Sequence, residues 1–152
     1  MGHGEQIAEA TKEIFSSMIM LDVTAKPAGQ RTKAEFQNSI SGIVGLAGSI
    51  KGNLYVHFPE AVATAVTTAF LGMDVDEINE DVCDAIGELA NMLAGSVKTF
   101  LDPSGSDIKL SMPSTVFGGK YNLDCADCAV NVLVPFDLNG EEFSVELQLV
   151  DG

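Results

Sequence analysis

The chain has 152 residues, with 46% hydrophobic and 20% charged residues, which is the composition of a folded domain and excludes a disordered tract. Its 22 acidic side chains against 8 basic ones give a net charge of −14, which repels phosphate backbones and anionic bilayers and so argues against nucleic acid or membrane as partner. No apolar run approaches the ~20 residues of a membrane span, and "MGHGEQ" lacks the basic start and apolar run of a secretory signal, so a cytoplasmic protein of one domain, residues 1–152, is expected.

In chain order, Ile7, Ile14, Met18 and Leu21 recur at near-helical intervals and predict a helix over residues 5–20. Residues 23–35 are polar, hold Pro27 and Gly29, and read as a loop. "SISGIVGLAGSIKGNLYVHF" predicts two strands, about 38–48 and 52–58, turning at Lys51-Gly52-Asn53. Pro59 then opens a helix that Gly72 stops. After an acidic connector, residues 80–101 predict the longest helix, ended by Asp102-Pro103. "DIKLSM" is expected as a short strand and "PSTVFGG" as a loop or edge segment.

"AVNVLVPF" and "EFSVELQLV" predict two strands joined through the hairpin signal Asn139-Gly140. Phe143, Val145, Leu147 and Leu149 alternate with Ser144, Glu146 and Gln148, the period of a strand with one wet face. Hairpins imply antiparallel pairing, and helices covering one side of such a sheet give an α+β architecture in two layers.

The helix stretch "DAIGELANMLAG" carries the chemical signal. At 100° per residue Gly87, Glu88, Asn91 and Gly95 all fall within about 60° of Asp84, while Ile86, Leu93, Val97 and Phe100 fall on the opposite side. Each interior glycine costs a helix about 1 kcal/mol relative to alanine. A merely solvated face would not favour glycine, so the pattern points to another surface seating against this ridge. An exposed carboxylate and an amide make no nucleophile. An asparagine amide can hold a water in a fixed orientation, and phosphoryl hydrolysis is a reaction in which positioning carries much of the rate.

This stretch closely resembles the active helix of the CheC/CheX/FliY family of chemotaxis phosphatases. That family carries Asp or Ser, three residues, Glu, two residues, Asn and, beyond a longer spacer, Pro; the matching positions here are Asp84, Glu88, Asn91 and Pro113, with 21 residues between the last two. The order of helix, glycine-rich hairpin, helix, long helix, "PSTVFGG" and C-terminal hairpin resembles the CheX layout, and the single copy of the motif resembles CheX rather than its two-motif relatives. At the first helix Ser16 stands where a second motif would need asparagine.

The resemblance implies the CheC/CheX-like two-layer fold and a phosphatase acting on the aspartyl phosphate of a CheY-type response regulator. It implies that Asn91 orients the attacking water, that Glu88 pairs with the regulator's lysine, and that Asp84, Gly87, Gly95 and Pro113 shape the ridge for docking. It implies no cofactor on this chain, Mg²⁺ on the regulator, and a homodimer joined through its sheets. The alternative is a non-catalytic module that binds a response regulator or a flagellar-switch component.

Other signals are weaker. Cys125 and Cys128 form a C-x-x-C with no second paired half-site for zinc and no following helix for redox chemistry. His57, two residues from Tyr55, reads as a satisfied sheet histidine. The connector Asp74–Asp81 lacks calcium-loop spacing and reads as a solvated loop.

Overall fold

A computed structural model describes residues 2–123 and 128–150. The elements are α1 (His3–Ile14), β1 (Thr24–Ala25), β2 (Glu35–Ala47), β3 (Lys51–Pro59), α2 (Glu60–Leu71), α3 (Glu80–Leu101), β4 (Lys109–Leu110), β5 (Ser114–Asn122), β6 (Cys128–Leu138) and β7 (Glu141–Val150). The strands form one antiparallel sheet in the order β1-β6-β7-β3-β2-β4, with β5 also paired to β2. The helices pack on one face, the expected two-layer α+β arrangement.

Differences from the expected elements are local. The first helix starts earlier and ends in a π-helical turn, Phe15–Ile19, closed by Met20 at φ 63°. The loop over 23–35 contains the two-residue β1. The hairpin turns at residues 48–50, and Gly52 is already in β3, where a Cβ would lie 1.9 Å from the Gln148 carbonyl oxygen. "DIKLSM" contributes only Lys109–Leu110, whereas "PSTVFGG" opens the nine-residue strand β5. Two stops are as the sequence dictates: Gly72 caps α2 at φ 72°, and Asn139-Gly140 turns the last hairpin at φ 53° and 88°.

The core lies between the layers. Val44, Leu54, Val56 and Phe58 of the first hairpin meet Ile86, Leu89, Leu93 and Val97 of α3 and Phe136, Phe143, Val145 and Leu147 of the last hairpin. Helix α3 sits very close to the sheet at Gly42. A Cβ there would stand 3.0 Å from Val56 Cγ2, 3.1 Å from Ala90 Cβ and 3.1 Å from the Ile86 carbonyl oxygen. Asn79 starts α3 by accepting a hydrogen bond from the Val82 N–H at 3.1 Å. Asp102 ends it, its carboxylate accepting from the N–H groups of Asp107 and Ile108 and from the Ser104 hydroxyl. Those backbone bonds hold the Asp102 pKa below its ordinary value.

The outer face of the sheet is not wet over its middle. Glu146 is fully buried and Gln148 nearly so: Arg31 reaches over Glu146, and Gln148 is bonded to Glu146 and to the Tyr55 hydroxyl. An irregularity at Asn38 (φ 47°) turns Phe36 onto this face, where it stacks on His57 at 4.5 Å. Arg31 Nε donates to Glu146 Oε1 at 2.8 Å, and the Asn131 and Gln148 amides donate to Oε2. His57 is satisfied on both sides: Nε2–H donates to Glu146 Oε1 and Nδ1 accepts from the Ser41 hydroxyl, each at 2.7 Å. Burial lowers the His57 pKa, against the pull of Glu146, which keeps the ring neutral. Burial acts to raise the Glu146 pKa, but hydrogen bonds from His57 and Gln148 and the charge of Arg31 outweigh it and hold it at about 2.

Two outcomes follow for stability. Gly42→Val should destabilise the fold by about 3 kcal/mol in urea unfolding, since β2 and α3 must separate to admit it; an unchanged midpoint would contradict the close seating. Glu146→Gln should cost about 3 kcal/mol near neutrality by leaving Arg31 buried without its counter-charge. Because the folded-state pKa is depressed from 4.5 to about 2, the carboxylate's contribution is complete above pH 4.5 and is lost as pH falls toward 2. The gap between wild type and Glu146→Gln should therefore narrow over that window, and a constant gap would contradict the charge assignment.

Candidate functional site

The carbonyl and amide pattern of β2 and β5 decides what α3 meets. Ile43 pairs with Ser114 and Gly42 with Thr115, so Pro113 and Thr115 arrive alongside the helix that Gly42 admits. At Gly87 a Cβ would lie 3.7 Å from Pro113 Cβ and 4.0 Å from Thr115 Cγ2. Pro113, remote in sequence, is thereby brought against the ridge.

Asp84, Glu88 and Asn91 are all exposed along one side of α3, while Ala85, Ile86, Leu89, Ala90 and Leu93 on the other side are buried. Glu88 and Asn91 stand three residues apart, the spacing at which helix side chains are neighbours. No ion pair among the described residues involves Asp84 or Glu88. The two side chains are thus available to an incoming group while their backbone is fixed by the core.

Between α3 and the start of β5 runs an open groove of about 370 Å³, lined by Asp84, Gly87 and Glu88 on one wall and Pro113, Ser114 and Thr115 on the other, with Cys83 at its end. The structure brings Asp84, Gly87, Glu88 and Pro113 together here, with Asn91 one turn further along the helix. A larger hollow of about 720 Å³ lies near Lys33, Glu35 and Asn122. Its Glu35 is paired with Lys120 at 3.2 Å.

The two ridge glycines divide in role. Gly87 is buried beside Pro113 and Thr115 of this chain, and a Cβ there would only make ordinary contact with them, so this part of the helix faces the chain's own wall rather than an outside surface. Gly95 has nothing within 4 Å of a built Cβ, so its side of the helix is open. The ridge is accordingly bare at Gly95 and walled at Gly87.

Sequence reasoning missed Ser114, Thr115 and Cys83 as groove residues. Their placement depends on the β2–β5 register, which no local pattern encodes. Gly42 was legible in principle, because an isolated glycine inside a strand marks a close approach. The Cys125–Cys128 pair lies outside the residues whose side chains are described. No group of three or more metal-ligating side chains occurs among the described residues, and no helix is long and apolar enough to cross a membrane.

Comparison with known proteins gives four informative matches. The family model for chemotaxis phosphatase CheX matches residues 40–137, which span the glycine-rich hairpin, α3, Pro113 and most of β6. The CheY-P phosphatase CheX of Thermotoga maritima is 30% identical over 131 residues, 85% of this chain and 83% of the relative. Among solved structures, the chemotaxis protein CheX from Desulfovibrio desulfuricans superposes with a TM-score of 0.83 at 27% identity, covering 96% of this chain and 97% of the other. The CheX of the CheX–CheY–BeF₃–Mg²⁺ complex from Borrelia burgdorferi, at 21% identity, shares the fold with a TM-score of 0.81 over 96% of each chain.

Proposed function

This chain belongs to the chemotaxis phosphatase CheX family, and from that premise we propose that it hydrolyses the aspartyl phosphate of a CheY-type response regulator. The observation that carries the reading is the exposed Glu88–Asn91 pair on a helix whose other face is locked in the core. The T. maritima relative bears the name of that activity, and the Borrelia complex pairs a protein of this fold with CheY, BeF₃ and Mg²⁺.

In this mechanism the chemistry is divided between two proteins. The regulator supplies the phosphorylated aspartate, Mg²⁺ and a lysine. Asn91 enters the regulator's site, where its amide donates to and accepts from one water and holds it in line with the phosphorus. The water attacks, the P–O bond to the aspartate breaks, and inorganic phosphate leaves with the carboxylate restored. The asparagine takes no proton; its contribution is orientation, and the charge of the departing phosphoryl group is met by Mg²⁺ and lysine. Glu88 reaches that lysine through a charge-assisted hydrogen bond and fixes the depth of insertion. Asp84, Gly95 and the Pro113 wall, with Gly87 packed beside that wall, shape the approach. The protein itself needs no metal. A homodimer joined through its sheets belongs to the same reading.

The test is decay of a phosphorylated CheY-type regulator with a trace amount of this protein. Wild type should clear many phosphates per molecule, Asn91→Ala should lower kcat by at least about 100-fold, the scale of a lost positioning group, and Glu88→Ala should weaken kcat/KM. Binding without turnover would reduce the ridge to a docking surface. Sedimentation of the same protein should give twice the 16.0 kDa chain mass; a monomer at assay concentration would remove the dimer.

A further inference from the structure

One large apolar side chain beside the groove has no internal role. Met112 is 87% exposed, more than any other large hydrophobic residue among those described. The residues that flank it, by contrast, are anchored. The Ser111 N–H donates to the Gly45 carbonyl at 2.9 Å, and the Gly45 N–H donates to Ser111 Oγ at 2.7 Å. The Ser111 hydroxyl donates to the Met112 carbonyl at 3.0 Å. Pro113, the next residue, has its own φ fixed by its ring and packs toward Gly87. An apolar side chain is thus presented to water from a corner anchored at Ser111 that continues directly into the groove wall of Pro113, Ser114 and Thr115.

We propose that Met112 is the specificity-determining contact of this site, an apolar anchor that seats on the response regulator beside its phosphorylation site. The inference rests on the phosphatase reading above and adds to it which residue selects the partner. Asn91 and Glu88 address a water and a lysine, groups that do not distinguish one regulator from another. Discrimination needs a contact outside the reacting atoms. Methionine suits that task, since its unbranched, polarizable side chain adapts to an apolar surface. Its anchored flanks reduce the ordering cost of binding. The occupant is therefore a regulator with a shallow apolar patch next to its acidic phosphorylation site, in continuity with the surface that Asn91 enters.

The experiment measures kcat and KM for the phosphorylated regulator with wild type, Met112→Ser, Met112→Leu and, as a control, Met20→Ser. Met20 is also 81% exposed but precedes β1 at the opposite edge of the sheet. Met112→Ser should raise KM about tenfold, the scale of one interface anchor, while kcat stays within about twofold. Met112→Leu and Met20→Ser should behave as wild type. If wild type turns over and Met112→Ser leaves KM unchanged, the anchor is refuted and the phosphatase reading stands. If wild type shows no turnover, both fall. If Met112→Ser instead halves the sedimentation mass, the residue belongs to an interface between copies and the proposal is overturned.

Discussion

The closeness of α3 to β2 at Gly42 is the constraint on which the site depends. With Val56, Ala90 and the Ile86 carbonyl each about 3 Å from where a Cβ would be, any larger residue would push the helix and strand apart by some tenths of an ångström or more. The depth sets the height of the ridge. The buried side of α3 is fixed by Ile86, Leu89, Ala90 and Leu93, so Asp84, Glu88 and Asn91 have their direction set by the core and not by contacts among themselves. A side chain that must orient a water inside another protein's site benefits from such a foundation, because orientation lost to backbone motion is rate lost.

The same strand fixes the other wall. β2 pairs with β3 on one side and with β5 on the other, and the β2–β5 register carries Pro113 and Thr115 to Gly87. The two halves of the site thus hang from a single strand, one through van der Waals contact and one through backbone hydrogen bonds. The outer face of the sheet contributes at a distance. Glu146, held charged by Arg31 and bonded to His57, Asn131 and Gln148, ties the Arg31 crossing and β6 to β7 and to the hairpin that holds Gly42.

Much of this was readable in the sequence, for physical reasons that differ by element. The long helix over 80–101 was legible because its apolar stripe and its Asp102-Pro103 stop agree, and the Asn79 cap seen in the structure fits the same start. The last hairpin was legible because Asn139-Gly140 adopts the positive φ angles that only such residues adopt readily. The wet face assigned to β7 was not: alternation gives which side faces the helices, but Glu146 is covered by Arg31, over 100 residues earlier, and Gln148 is buried beside it. The role of Gly87 was likewise hidden, since its neighbours Pro113 and Thr115 come from the non-local pairing of β5. Asp84, Glu88 and Asn91 were found because helical periodicity is local, and the groove beside them was missed because strand register is not.

The central claim is that Asn91 reaches the phosphoryl site of a response regulator. Its most direct test is the structure of this protein bound to a CheY-type regulator carrying beryllofluoride and Mg²⁺. The account predicts the Asn91 amide within one water, each hydrogen bond about 3 Å long, of the in-line position behind the beryllium, with Glu88 on the regulator's lysine. A complex in which the α3 ridge faces away from the beryllofluoride, or in which Asn91 is further from it than a single water can bridge, would contradict the account.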